Sequence, residues 1–277
     1  MKIANLILKN PYFLAPMAEV NDIAFRLLCK KAGAGLTWTG MINPLSKQKL
    51  CLDDKPALQL FSTSTSGIRE FIKKYEKKVA LFDFNLGCPA KTARRMGFGS
   101  FMHNKLAMIE EILKTMREST KKPITIKLRK SSEALKIIKI AEKYCDAVTI
   151  HPRIQQQGYS GQPDIKFAEQ IKNQTNLPVI YSGNVDAKNA NLFLKKFDAV
   201  MIGRTAIGNP NIFAELSGNK IKLNFQDYLK LAKKYKLPFA QIKFQAMNFT
   251  KGISGAKKLR KQIIGMKTLE EIKKLEI

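Results

Sequence analysis

The chain lacks the sequence features that mark most metal and nucleotide sites. Its four cysteines are widely spaced and include no CxxC pair; they are Cys29, Cys51, Cys88 and Cys145. Zinc and iron–sulfur sites usually draw on closely spaced cysteines, so we expect no metal in this protein. The chain also has no Walker loop and no GxGxxG motif after a predicted strand. These absences argue against a phosphate-loop ATPase and a Rossmann dinucleotide fold.

Long apolar runs are absent as well. No stretch approaches the roughly 20 apolar residues of a membrane-spanning helix, so we expect no membrane association. The apolar run at the N-terminus is short and is broken by Asn5 and Lys9, which does not fit a signal peptide. We therefore expect a cytoplasmic protein without disulfide bonds.

Acidic residues are scarce. The chain has 22 Asp and Glu against 49 Lys and Arg, which gives a formal net charge of +27. This excess indicates a polyanionic partner, and nucleic acid is the leading candidate. A lysine-rich composition throughout the source proteome is the alternative, because charge alone does not fix a partner. The basic residues are spread along the chain, so we expect any phosphate-binding surface to belong to folded structure.

Eight short apolar runs recur along the first 205 or so residues. They are Phe13–Ala15, Leu36–Thr39, Ala57–Phe61, Ala80–Leu86, Ile124–Leu128, Ala147–Ile150, Val179–Ser182 and Ala199–Ile202. Such runs are typical of strands buried on both faces of a parallel sheet. Eight βα units predict an α/β fold, a TIM (β/α)8 barrel. A doubly wound open sheet is the alternative, and polar residues clustered at the strand ends favour the barrel.

Amphipathic stretches between these runs predict helices. They are Asp22–Ala32 with Asn21 as its cap, Ser66–Lys78, Asn104–Ser119, Ser132–Tyr144, Asp164–Lys172 and Ala187–Lys196. After about residue 220 only helical patterns remain: Phe225–Tyr235, Leu237–Gly252, Ser254–Ile264 and Thr268–Ile277, the last opened by a capping box. We therefore predict a barrel domain over 1–218 and a small all-α domain over 219–277. Residues 221–277 carry 14 Lys and Arg against four Asp and Glu, a net charge of +10.

The fourth run ends abruptly in a turn that carries a cysteine. Gly87 and Pro89 flank Cys88, and Asn85 lies three residues before the thiol. Barrels build active sites at the C-terminal ends of strands, so Cys88 is the candidate catalytic residue and Asn85 is expected to help shape its site. A buried structural cysteine is the alternative, since free cysteines are commonly buried.

Polar side chains follow the other strands at the same end. They are Gln59 on the third, Lys127 and Arg129 on the fifth, His151 and Arg153 on the sixth, Asn184 on the seventh and Arg204 on the eighth. Gly183-Asn184 and Gly203-Arg204 occupy the last two loops, where barrels often bind phosphate through backbone N–H groups. The pattern predicts a phosphate-bearing ligand, and a buried Lys127 would need an electron-rich partner to offset its desolvation.

Taken together, these segments resemble the tRNA-dihydrouridine synthases, flavin-dependent barrel enzymes with a C-terminal helical domain. The matching segments occur in family order: Ala15-Pro16-Met17, Gln59-Leu60-Phe61, Asn85-Leu86-Gly87-Cys88-Pro89, Lys127-Leu128-Arg129, His151-Pro152-Arg153, Tyr159-Ser160-Gly161, Ser182-Gly183-Asn184, Met201-Ile202-Gly203-Arg204 and Gly208-Asn209-Pro210. Lys251 to Arg260 also resembles the family's helical domain.

The resemblance implies bound FMN, NADPH or NADH as electron donor, and reduction of a tRNA uracil. Cys88 would protonate the uracil at C5. The implied FMN-binding residues are Pro16, Met17, Ala18, Gln59, Lys127, His151, Asn184, Val185, Asp186, Gly203 and Arg204. The implied substrate-binding residues are Asn85, Arg129, Arg153, Lys257 and Arg260. We expect a monomer that binds tRNA.

Two other functions stay open from the sequence. One is another FMN barrel acting on a free pyrimidine, such as a dihydroorotate dehydrogenase, which the basic tail disfavours. The other is a tRNA-binding protein without catalysis, which Cys88 and Lys127 disfavour. Cys29, Cys145 and Trp38 are predicted to lie in the core. Cys51 and His103 are predicted to be loop residues without catalytic roles, and we do not expect His103 to approach the Cys88 turn.

Overall fold

The computed structural model describes residues 1–275 and 277, and within them ten strands form a hairpin and a barrel. The hairpin pairs β1 (Lys2–Ile3) with β2 (Leu6–Ile7). The barrel strands are β3 (Tyr12–Leu14), β4 (Leu36–Thr37), β5 (Ala57–Leu60), β6 (Leu81–Leu86), β7 (Ile124–Arg129), β8 (Ala147–His151), β9 (Val179–Ser182) and β10 (Ala199–Ile202). All eight predicted runs are therefore strands.

The eight barrel strands are parallel and form a closed ring. Their order is β4-β3-β10-β9-β8-β7-β6-β5, and a parallel bridge between Trp38 and Ala57 joins the two ends. This closure confirms the predicted barrel and excludes an open doubly wound sheet.

Alternation along each strand separates two cores. On β6, Phe82, Phe84 and Leu86 face the surrounding helices, because successive side chains point to opposite faces of a strand. Leu81 belongs instead to the inner core, which the hairpin residue Ile3 also joins. The inner core thus fills the N-terminal end of the barrel, and the inward polar side chains lie toward its C-terminal mouth.

Eight helices accompany the barrel strands in the described part of the chain. They are α1 (Ile23–Ala32), α2 (Ile68–Tyr75), α3 (Lys91–Met96), α4 (Leu106–Ser119), α5 (Ala134–Tyr144), α6 (Ile165–Asn173), α7 (Ala190–Leu194) and α8 (Asn211–Ser217). All six predicted helices are present, although α7 is shorter than expected. The short helices α3 and α8 were not predicted. Short 3₁₀ turns cover Glu76–Lys78, Gly99–Met102 and Gln155–Gln157.

The predicted cap of α1 is wrong by one residue. Asp22 caps the helix, because its Oδ1 accepts a hydrogen bond from the Phe25 N–H at 2.9 Å. The Asn21 amide donates instead to the carbonyls of Ala15 and Trp38, at 2.7 and 2.8 Å. Asn21 therefore links the ends of two strands at the barrel mouth.

The C-terminal region is helical, as predicted. It contains α9 (Phe225–Lys234), α10 (Phe239–Phe249), α11 (Ala256–Gly265) and α12 (Leu269–Lys273). The capping box is confirmed, with Thr268 and Glu271 bonded reciprocally. The last predicted helix runs past the observed end of α12, and its residue 276 lies outside the described residues.

This region packs on α1 and shares its capping residue. The Asp22 Oδ2 accepts hydrogen bonds from the Tyr228 hydroxyl at 3.1 Å and from the Gln241 and Gln245 amides at 2.8 and 2.9 Å. The Gln245 amide also donates to the Val20 carbonyl at 2.7 Å. The helical region is thus fixed to the loop that follows β3. The division at residue 218 stays a prediction.

Candidate functional site

The Cys88 turn is held by Asn85 at the end of β6. The Asn85 Oδ1 accepts hydrogen bonds from the N–H groups of Gly87 and Cys88, at 3.1 and 3.0 Å. The Cys88 side chain is half-buried. Burial raises the pKa of the Cys88 thiol, and this outweighs the opposing effects of Arg129 and Lys127. The thiol therefore stays protonated at neutral pH and can act as an acid.

Asp83 lies two residues before Asn85 inside the barrel, and the sequence analysis did not single it out. Its carboxylate accepts hydrogen bonds from Trp38 Nε1 at 3.0 Å, Gln59 Nε2 at 2.7 Å and Thr125 Oγ1 at 2.6 Å. Burial raises the pKa of Asp83 to about 6, despite these three donors. Asp83 is thus a buried anion just below the mouth.

Gln59 joins this carboxylate to the Cys88 turn. Its amide nitrogen donates to Asp83, and its Oε1 accepts a hydrogen bond from the Asn85 Nδ2 at 2.8 Å. Because a carboxylate only accepts, it fixes which end of the Gln59 amide carries the donor. The predicted site residues Gln59 and Asn85 are therefore parts of one hydrogen-bonded chain.

Lys127 lies half-buried on β7, in register with Asn85. Burial and, less strongly, the charge of Arg129 lower the pKa of Lys127 to about 8, although the charge of Asp83 opposes both effects. Lys127 is therefore mostly an ammonium group at neutral pH, and it loses its proton at mildly alkaline pH.

Arg129, a predicted substrate-binding residue, is buried and braces the mouth from β7. Its Nε donates to the Gly87 carbonyl at 2.8 Å, and its Nη1 donates to the Ile154 carbonyl at 3.2 Å. Its guanidinium also stacks 5.4 Å from the centre of the Tyr159 ring. These contacts hold the Cys88 turn, a role the sequence did not indicate.

Arg153, Asn184 and Arg204 form a cationic cluster next to Arg129, because Arg129 and Arg204 both lie over the Tyr159 ring. The Asn184 Oδ1 accepts hydrogen bonds from Arg153 Nη2 at 2.9 Å and Arg204 Nη2 at 2.7 Å. Arg153 Nη1 lies 3.1 Å from His151 Nε2, so this imidazole nitrogen accepts. Burial and four neighbouring cations strongly lower the pKa of His151, which is therefore neutral. The structure thus brings these four predicted residues together.

The remaining predicted mouth residues lie in three loops. Pro16 and Met17 are half-buried after β3, and Ala18 beside them is exposed. Gly203 lies close to this loop, because a Cβ there would stand 4.0 Å from the Met17 sulfur. In the loop after β9, Val185 is buried and Asp186 binds the N–H groups of Lys188 and Asn189. Any ligand contact from Val185 and Asp186 would therefore come through their backbone.

Lys257 and Arg260 lie on α11, and they differ in exposure. Lys257 is exposed, whereas Arg260 is half-buried and its Nε donates to Thr250 Oγ1 at 2.7 Å. Neither contacts the mouth residues described above. Another tail residue, Lys251, does reach the mouth, because its Nζ donates to the Arg204 carbonyl at 2.6 Å.

The loop after β10 is pressed against the end of α10. Gly208 has a φ of +70°, and a Cβ there would lie 1.9 Å from the Asn248 carbonyl oxygen. Only glycine fits both the left-handed backbone and this approach. Lys251 follows directly after α10, so this packing sets where its ammonium meets the Arg204 loop. Sequence reasoning missed the contact because 47 residues separate the two cations.

The sequence analysis also made predictions for Cys29, Cys51, Cys145, Trp38 and His103. Cys29, Cys145 and Trp38 are buried, as predicted. Cys51 lies in a loop, also as predicted, and its side chain is exposed. His103 lies in a loop, as predicted. The expectation that it stays away from the Cys88 turn is wrong, because its Nε2 lies 2.6 Å from the Leu86 carbonyl oxygen at the start of that turn. No group of three or more potential metal ligands occurs among the described residues. No helix in residues 1–275 is long and apolar enough to cross a membrane.

Comparison with known proteins gives relatives over most of the chain. Residues 13–275 match the family model described as dihydrouridine synthase. A tRNA-dihydrouridine synthase B from Pasteurella multocida is 31% identical over 236 residues, covering 77% of this chain and 70% of the relative. A tRNA-dihydrouridine synthase B from Vibrio parahaemolyticus is 32% identical over 241 residues, covering 78% and 74%.

The fold also resembles solved structures of other enzymes. A variant of morphinone reductase in complex with tetrahydroNAD aligns with a TM-score of 0.57 at 14% identity, covering 82% of this chain and 92% of that one. At this identity the likeness concerns the barrel alone. The family match, by contrast, spans both the barrel and the helical region, so the chain belongs to the dihydrouridine synthase family.

Proposed function

We propose that this protein reduces a uridine in tRNA to 5,6-dihydrouridine, with FMN as cofactor and Cys88 as proton donor. The observation that carries the proposal is the half-buried Cys88 thiol, on a turn that Asn85 holds in place, at the mouth of a dihydrouridine synthase barrel. Burial raises the pKa of this thiol, which favours its protonated form. Reduction of a carbon–carbon double bond needs one hydride and one proton. The thiol can supply the proton.

The mouth residues fit a phosphate-bearing cofactor. Among the described residues, no carboxylate is bonded to Lys127, Arg129, Arg153 or Arg204. Clustered cations without counter-charges are stabilised by a bound anion. Asn184 already aligns the guanidinium groups of Arg153 and Arg204. Of the two arginines, Arg204 would hold the FMN phosphate, together with Asn184, Gly203 and the backbone of Val185 and Asp186.

The flavin ring would lie over Pro16, Met17 and Gln59, next to Lys127. When bound and reduced, FMN supplies the hydride to C6 of the uracil. The Gln59 amide, oriented by Asp83, would hydrogen-bond the ring, and the Lys127 ammonium would favour negative charge on its pyrimidine part. The neutral His151 would form hydrogen bonds with the cofactor through its ring nitrogens and would add no positive charge to the site.

On the substrate side, Cys88 would donate its proton to C5 of the uracil as a general acid. Asn85 and Arg153 would contact the uridine or its phosphate. Arg129 would act mainly by bracing the Gly87 carbonyl, so we expect its contribution to substrate binding to be indirect.

A uracil inside folded tRNA must be extruded to reach this mouth. The net charge of +27 provides sequence-independent attraction to the RNA backbone. Lys257 and Arg260 on α11 would be among the residues that bind backbone phosphates. NADPH or NADH as electron donor, a cytoplasmic location and a monomeric state are predictions from the sequence.

Replacing Cys88 tests the proposal. We expect Cys88→Ala to retain FMN and tRNA binding but to form dihydrouridine about 10²–10⁴-fold more slowly, the usual contribution of a general acid. Cys51→Ala is the matched control, because that thiol is exposed and the site described above does not include it. The assay is dihydrouridine formed per tRNA at saturating NADPH.

Near-normal turnover in Cys88→Ala would refute the role of the thiol. Wild-type protein that reduces a free pyrimidine and leaves tRNA unchanged would favour the alternative of a small-molecule flavoenzyme. Protein that binds tRNA but no flavin would favour a binding protein without catalysis.

A further inference from the structure

Three consecutive backbone carbonyls of the Cys88 turn each have a side-chain partner. The Leu86 carbonyl lies 2.6 Å from His103 Nε2, the Gly87 carbonyl accepts from Arg129 Nε at 2.8 Å, and the Cys88 carbonyl accepts from Ser100 Oγ at 2.9 Å. Together with the Asn85 bonds to the N–H groups, these contacts leave the turn little freedom. Of the three partners, His103 binds where the strand ends and the turn begins.

The partners of His103 define its proton. A carbonyl oxygen only accepts, so Nε2 carries the hydrogen and donates it to Leu86. The other nitrogen, Nδ1, lies 2.7 Å from Ser131 Oγ and accepts from that hydroxyl. Burial lowers the pKa of His103, which keeps the imidazole neutral at neutral pH. His103 thus joins the end of β6 to the loop after β7.

Solvent reaches the far side of this imidazole. His103, Ser131 and Ser100 line a cavity of about 420 Å³ with Phe101 and Glu133. The Leu86 carbonyl is therefore separated from a water-accessible space by one side chain. Loss of that side chain would leave the carbonyl to water and would loosen the start of the turn.

We propose that His103 is a positioning residue for Cys88: its Nε2–H bond to the Leu86 carbonyl fixes the turn that aims the thiol into the mouth. The proposal deepens the proposed function, and its kinetic part rests on that function. Its structural part, the exposure of the thiol, does not.

Two substitutions test the roles of the two ring nitrogens of His103 separately. His103→Gln places an amide donor near the position of Nε2, and His103→Asn places one near Nδ1. The asparagine variant therefore keeps a partner for Ser131 but loses the bond to Leu86. Both variants are made in the Cys51→Ala background, so that Cys88 is the accessible thiol while Cys29 and Cys145 are buried.

The first measurement is the rate of Cys88 alkylation by iodoacetamide at fixed pH. We expect His103→Asn to react several-fold faster, because a loosened turn exposes the half-buried thiol and lessens the burial that raises its pKa. We expect His103→Gln to react at nearly the rate of its parent. Equal rates in the two variants would overturn the proposal and leave His103 as a packing residue.

The second measurement is the split between kcat and KM for tRNA. His103→Asn should lower kcat roughly tenfold, the effect of losing one hydrogen bond to a buried group, with KM unchanged. His103→Gln should restore kcat. If the two variants differ in the rate of Cys88 alkylation but the parent protein does not reduce tRNA, only the proposed function is contradicted. If the parent protein reduces tRNA but the two variants are alkylated at the same rate, only the positioning role is contradicted.

A third variant covers the case in which His103→Asn does not fold. His103→Gly opens the cavity to the Leu86 carbonyl, so added imidazole can occupy the vacated position. We expect millimolar imidazole to slow alkylation of Cys88 in this variant and to leave the parent unaffected. The same rate with and without imidazole would count against the proposal.

Discussion

We expect the charge of Lys127 to make the affinity for the proposed FMN cofactor sensitive to alkaline pH. The pKa of Lys127 is about 8, compared with an ordinary value of 10.5. A lowered lysine pKa means that the ammonium form is present below about pH 8 and is lost as the pH rises through that value. Flavin affinity should therefore be constant from pH 6.5 to 7.5 and fall at higher pH.

The size of the decrease follows from proton linkage. If FMN binds mainly to the protonated form, the affinity falls by up to about tenfold for each pH unit above the pKa of the lysine. Between pH 8 and 9.5 the loss should approach roughly 10–30-fold. The assay is titration of flavin-free protein with FMN, followed by quenching of flavin fluorescence, at constant ionic strength.

Two variants identify the titrating group. Lys127→Met should bind FMN more weakly than wild type at pH 7 and show a flat profile between pH 7 and 9.5. Asp83→Asn keeps an acceptor for Trp38 and Gln59 but removes the anion that favours the Lys127 ammonium, so its profile should break at lower pH than wild type. An unchanged slope in Lys127→Met, or a midpoint that moves upward in Asp83→Asn, would refute the reasoning.

Two further predictions concern the cationic surfaces. Arg204→Ala should lower flavin content after dialysis, because the phosphate loses a charge-assisted donor, whereas the exposed Arg69→Ala on α2 should not; equal flavin content in both would place the phosphate elsewhere. Replacing the exposed Lys257, Lys258 and Lys261 on α11 with alanine should weaken tRNA binding and flatten its salt dependence by roughly one log–log unit for each lost phosphate contact, with flavin content unchanged. The same change at Lys73, Lys77 and Lys78, on α2 and the turn after it, is the control, and equal effects of the two triple variants would mean that α11 has no special role in binding RNA.

The sequence predicted features that a short stretch of chain encodes. Cys88 could be found because Gly87 and Pro89 mark the end of an apolar run. Asn85 could be found because its amide lies three residues before the thiol and can hydrogen-bond the turn that follows. The barrel followed from eight apolar runs, since both faces of each strand are buried.

The sequence did not reveal contacts that depend on strand register and on side chains far apart in the chain. Asp83 stands within an apolar run and has no predicted role, but Trp38 and Thr125, each more than 40 residues away, donate hydrogen bonds to its buried carboxylate. The contact between His103 and the Leu86 carbonyl was not predicted, because no neighbouring residue in the sequence indicates it. Such contacts need the three-dimensional arrangement.

The Asp22 carboxylate ties two regions of the chain to a single side chain. One oxygen accepts a hydrogen bond from the Phe25 N–H at the start of α1, and the other accepts hydrogen bonds from three donors on α9 and α10. Removal of either set leaves a buried polar group without its partner, which is costly. The barrel and the helical region therefore constrain each other's sequence: a substitution at residue 22 requires compensation at Tyr228, Gln241 and Gln245, and helical regions exchanged between family members must carry matching donors.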